Sequence, residues 1–136
     1  MDLMAWIILL FGIGMANMII AFTAIQQFIS RHADIENRGD LQIFKIMVRK
    51  QMYQTILQLI VLGAMGIAAA AGIITGKLSF REFIVTLILN AAIIILGMYG
   101  KKLEEKVRSY RIEDEKLAKE YISVCKSWVE KPFPDF

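Results

Sequence analysis

Asp, Glu, Lys, Arg and His are absent from three stretches of the chain, 3–30, 51–76 and 83–100, and apolar side chains dominate each. A helix needs about 20 mainly apolar residues to cross a hydrocarbon layer about 30 Å thick, so each stretch reads as a transmembrane segment. The pattern predicts an all-α membrane protein with one transmembrane domain, 1–100, whose spans lie at 3–29, 51–76 and 80–100. A connection at 30–50 joins the first two spans. An amphipathic helix at 101–131 and a tail of proline and aromatic residues at 132–136 follow the third.

The first span does not read as a signal peptide. It is preceded by Asp2 without Lys or Arg, its apolar run is too long, and no small-x-small site closes it. It is expected to remain as a helix.

Local signals set the boundaries. Gly76 can supply the left-handed residue that stops helix two, and Ser79 with Glu82 forms a capping box that starts helix three. In the first connection Asn37-Arg38-Gly39 reads as a turn and Asp40 as an N-cap, so helix two is expected over 41–75, about 50 Å. No proline falls between Ser79 and Glu130, which predicts one continuous third helix of about 75 Å, bent at most near Gly97 and Gly100 and stopped by Pro132 and Pro134.

Beyond Gly100 the periodicity changes. Leu103, Val107, Tyr110, Leu117, Tyr121, Val124 and Trp128 follow alternating steps of four and three, with Asp114 at one seam position, as in a coiled coil. If helices two and three fold about 77–78, then Phe44, Met47 and Met52 stand level with Tyr110, Val107 and Leu103, and Arg49 and Lys50 stand level with Glu105 and Glu104. The hairpin runs out near Asp114, leaving Leu117, Tyr121, Val124 and Trp128 without a cover. Each large apolar side chain left wet forfeits about 1.5–3 kcal/mol. A neighbouring copy of the chain is the expected cover, ahead of a different protein, the membrane surface or the first connection. Phe133 and Phe136 are expected to anchor the tail on that neighbour.

Charge then orients the molecule. Hydrophobic residues make up 57% of the chain against a net charge of only +3, so basicity here belongs to membrane topology and not to nucleic-acid binding. Arg31, Arg38, Lys45, Arg49 and Lys50 crowd the first connection and Lys101, Lys102, Lys106, Arg108 and Arg111 follow the third span, whereas the second connection holds Lys77 and Arg81. The expectation is an N-terminus outside and a C-terminus in the cytoplasm. Lys45, Arg49, Lys50, Lys101 and Lys102 form a collar for lipid head groups.

Within the spans the polar residues are Asn17, Thr86 and Asn90, with Gln54 and Gln58 in the first turns of span two. None titrates, which argues against a proton relay. Asn17, Gln58 and Asn90 serve either as interhelical hydrogen bonds or as rings lining an oligomeric pore. Small residues at Ala64, Ala68, Gly72 and Gly76, with Gly63 and Gly66 nearby, and at Gly12, Gly14, Ala16 and Ala24 mark helix contact faces, within one chain or between chains.

Candidate chemistry is sparse. A segment beginning at Asp34 imitates the start of a calcium loop but places Arg38 and Lys45 where oxygen ligands belong, and His32 and Cys125 lie too far apart in sequence to suggest a nucleophile pair. No catalytic residue, metal or cofactor is expected. The composition thus points to a non-enzymatic membrane subunit that self-assembles as a scaffold or as an accessory part of a larger membrane complex. An oligomeric channel or permeabilising pore, and a small regulatory or immunity-type protein that binds a partner, are the alternatives.

Overall fold

Four helices account for most of the chain: α1 (Leu3–Arg31), α2 (Arg38–Ile74), α3 (Phe80–Val107) and α4 (Glu115–Glu130). The computed structural model describes residues 2–136 and contains no strand among them. The first three helices are each long and apolar enough to cross a membrane.

Every helix begins with a side chain that accepts from an otherwise unpaired backbone N–H. Asp2 accepts from Ala5 at 2.7 Å, Asn37 from Asp40 at 2.9 Å and Asp114 from Leu117 at 3.0 Å. The capping box of α3 is complete: the Glu82 N–H donates to the Ser79 hydroxyl at 3.2 Å and the Ser79 N–H to the Glu82 carboxylate at 2.8 Å. Helix α2 starts earlier than expected, because the N-cap is Asn37 and not Asp40. Asp40 lies inside the first turn, where its carboxylate pairs with His32 Nδ1 at 3.2 Å and accepts from the Glu36 N–H at 3.1 Å.

Between α2 and α3, Gly76 adopts a φ of 71°, which an L side chain would resist. The chain then turns back so that the Leu78 N–H donates to the Gly72 carbonyl at 3.0 Å. The Leu78 side chain lies over Gly72, where a Cβ would fall 2.6 Å from it. Glycine at 72 therefore permits the close return, and glycine at 76 permits the turn.

The expected continuous third helix is not formed. It ends at Val107, and residues 108–114 turn the chain back before α4 begins. The Ser109 hydroxyl donates to the Lys106 carbonyl at 2.8 Å, a local bond that competes with the helical ladder. Asp114, read from spacing as a seam position, is the N-cap of α4. The reversal lays α4 on the first turns of α2.

Two cores result. At the hairpin end and through the spans, Ile7 and Met18 of α1 meet Val61 and Met65 of α2, Leu78 of the turn, and Ile93 of α3. Helix α1 packs along both α2 and α3 and is the central element of the bundle. At the opposite, basic end, Phe28 and Ile35 join Leu41, Phe44 and Val48 of α2, Val107 of α3, and Tyr121, Val124 and Trp128 of α4. Phe44 is fully buried, with its ring 5.7 Å from Phe28, 5.0 Å from Tyr121 and 6.5 Å from Trp128.

Candidate functional site

Amide side chains collect inside the bundle near its basic end. Gln51, Gln54 and Gln58 recur every three or four residues along α2 and so share one face, opposite Asn17 on α1. The Asn17 amide donates to the Gln54 carbonyl at 2.9 Å and to Gln58 Oε1 at 3.0 Å, and the Gln51 amide donates to the Ala21 carbonyl at 2.8 Å. These bonds tie α1 to α2. Gln54 Oε1, Gln58 Nε2 and Asn90 Oδ1 are buried without a hydrogen-bond partner among the described residues. The glutamines face a cavity of about 290 Å3 that Asn17, Met18 and Phe22 also line, with Lys101 and Glu104 of α3 at its basic end.

Thr55, Lys101 and Glu104 are shared with a second cavity, about 370 Å3, formed where α4 lies on α2 beside the end of α3. Its walls are Met52, Ile56 and Leu59 of α2, Arg108 at the end of α3, and Trp128 and Lys131 of α4 and its cap. The Arg108 guanidinium lies 5.8 Å over the Trp128 ring, within cation–π range, and its Nε is buried with no acceptor among the described residues. Lys131 pairs with Asp135.

The residues expected to meet a neighbour are placed otherwise. Tyr121, Val124 and Trp128 are buried on the chain's own basic-end core, with Leu117 half-buried beside them. The cover expected from another copy is supplied by α2, Val107 and Ile35. This corrects the interface drawn from the heptad spacing, which assumed that the helix continued straight past Asp114. Phe133 is exposed, while Phe136 packs against the same core with its ring 5.9 Å from the Arg49 guanidinium.

The collar of cations is likewise divided. Lys45 pairs with Glu120 at 3.2 Å, Arg38 reaches the same carboxylate at 2.6 Å, and Arg49 donates to the Phe136 backbone oxygen. Lys50, Lys101 and Lys102 are exposed. Glu104 and Glu105 make no ion pair with Arg49 or Lys50 among the described residues; Arg49 turns to the Phe136 backbone, and Lys50 lies beside α1. Hydrogen bonds from Lys45 and Arg38 hold the Glu120 carboxyl below the usual carboxylate range. Burial pushes the Tyr121 hydroxyl up, and pushes the Cys125 thiol up to about 11.

Asn17 is buried and bonded to α2 within the chain. Gln58 and Asn90 are half-buried. Gly14, Gly72 and Gly100 sit at contacts within the chain, Gly100 making room for the Phe22 ring. A Cβ at Gly12, Gly63 or Gly66 would meet nothing within 4 Å among the described residues. No group of three or more His, Cys, Asp or Glu residues suited to a metal ion occurs among the described residues.

Gln51 and Arg108 were not singled out by the sequence. Gln51 opens an uncharged run and resembles a boundary residue, and Arg108 is one cation in a basic row. Only the reversal after Val107 brings Arg108 onto Trp128. In comparisons with known proteins the chain matches no family model, no curated relative and no solved structure.

Proposed function

We propose that this chain is a non-enzymatic membrane subunit that self-assembles through its transmembrane helices, as a scaffold or an accessory part of a larger membrane complex, with its basic end in the cytoplasm and its N-terminus outside. The observation that carries this reading is the contrast between its two apolar surfaces. The stripe on α4 is satisfied within the chain, whereas glycines in the middle of α1 and α2 open outward onto nothing of their own chain. Glycine inside a helix costs about 1 kcal/mol relative to alanine, and in lipid small residues let two helix backbones approach closely. Gly63, Gly66 and Ala70 share one exposed face of α2, flanked by Leu59, Ile60 and Ile67, and a second copy of the chain fits that face.

The orientation rests on the concentration of Lys and Arg at one end of the bundle. The pore reading has less support, since Asn17 is bonded inside one chain.

Mass determination in lipid nanodiscs tests assembly. The wild type is expected as a dimer or higher oligomer, and Gly63→Leu combined with Gly66→Leu as a monomer with unchanged helicity. A monomeric wild type would move the partner-binding alternative to first place, and an oligomer unaffected by the double substitution would remove α2 as the interface.

A further inference from the structure

The open cavity lined by α2, α4 and the end of α3 combines three features. It has three cations, an orphaned donor, and an apolar wall that continues into a transmembrane span. Lys101 and Arg108 lie two helical turns apart on one face of α3, with Glu104 between them, and Lys131 approaches from the end of α4. The Arg108 guanidinium lies over the Trp128 ring, and its buried Nε–H has no acceptor among the described residues. Two carboxylates answer these three cations, Glu104 in the wall and Asp135 on Lys131. One positive charge is left over, the complement of a singly charged phosphodiester.

Ile56 and Leu59 form the wall on the side of the uncharged stretch 51–76, and Leu59 is 65% exposed. A free phosphate would have no use for that wall. We propose that the cavity holds one anionic phospholipid, its phosphodiester at Arg108 and Lys101 and an acyl chain descending past Ile56 and Leu59. Arg108 suits this role because its planar fork can donate to two phosphate oxygens. Lys131 and Trp128 close the cavity from α4, so the bound lipid also ties α4 to the membrane face of α2. Leu59 also borders the glycine face of α2, so the acyl chain would adjoin a second copy there, whereas the cations of the site lie on other elements and do not depend on assembly.

Native mass spectrometry of the full chain, delipidated in mild detergent and titrated with phosphatidylglycerol, phosphatidylcholine or inorganic phosphate, tests the site. A one-to-one phosphatidylglycerol adduct is expected at a concentration about tenfold below that needed for phosphatidylcholine, with no adduct from inorganic phosphate. Arg108→Gln and Lys101→Gln should each erase most of that preference, while Lys77→Gln, at the opposite end of the bundle, leaves it unchanged. Equal affinity of the wild type for both lipids would overturn the proposal whatever the variants do. Inorganic phosphate that displaces the lipid would assign the site to a soluble anion instead.

Discussion

The hydroxyl of Tyr121, on α4, donates to the backbone carbonyl of Val107, the last residue of α3. The same oxygen accepts from the Tyr110 N–H at 3.1 Å, and the two tyrosine rings stack 6.4 Å apart at an interplanar angle of 7°. One phenol from the returning helix thus satisfies a carbonyl that the end of α3 leaves unpaired and a donor in the reversal that follows it. Tyr121→Phe keeps the ring in the core but orphans both groups, at a cost of about 1–3 kcal/mol. Hydrogen exchange in α4 and protease cleavage within 108–114 should both speed up in the variant. Unchanged protection of α4 would show that ring packing alone holds it.

Glu120 ties α4 to the first turns of α2 through Arg38 and Lys45. Its carboxyl titrates lower in the folded protein than in the unfolded chain, where glutamate has a pKa of about 4.3, so the folded state binds fewer protons in that range. The pairing contributes in full above the unfolded value and is lost as pH falls through the folded one. Exchange protection of α4 should therefore decline on acidification below about pH 4.3, and Glu120→Gln should lower protection at neutral pH and flatten that decline. A wild-type profile no steeper than that of the variant would count against this pair as the fastening.

Cys125 lies half-buried on α4 beside Tyr121, with its thiol pushed up to about 11, chiefly by burial. Only the thiolate reacts quickly with alkylating agents, and an unfolded cysteine titrates near 8.5. At pH 7.5 the folded protein should react with a maleimide on the order of a hundredfold more slowly than the denatured chain. Tyr121→Phe, by loosening α4, should narrow the gap. Equal rates for native and denatured protein would place the thiol in open solvent and contradict the packing of α4.

Much of this architecture could be read from residue order because membrane spans and caps are local. Charge-free stretches of sufficient length need no knowledge of neighbours, and the hairpin turn is written in Gly76, Ser79 and Glu82, each acting within a few residues. The reversal at 108–114 was hidden for the opposite reason. It contains neither Gly nor Pro, and the steps from Val107 and Tyr110 to Leu117 and Tyr121 keep a helical rhythm across a segment that is not helical. Asp114 read only as a polar seam residue, and what makes it the N-cap of α4 is the burial of Tyr121, Val124 and Trp128 on α2, a contact between distant parts of the chain. The amides show the same division. Asn17 and Gln58 stand out as polar residues at depth, but their partnership depends on the register of α1 against α2.

That partnership separates two uses of the amides. If Asn17 and Gln58 join α1 to α2, then Asn17→Leu and Gln58→Leu should each destabilise the bundle, and a double-mutant cycle should return a coupling of about 0.6 kcal/mol, reaching at most about 2 kcal/mol. Unfolding in mixed micelles is the measurement. A water-filled pore lined by these residues makes a different demand, because substitution by leucine would then abolish ion conductance in a planar bilayer while leaving stability little changed. The bond from Asn17 to Gln58 at 3.0 Å and the burial of Asn17 favour the first outcome. Zero coupling together with a conductance that the substitutions remove would transfer the amides from the packing of one chain to the lining of a channel.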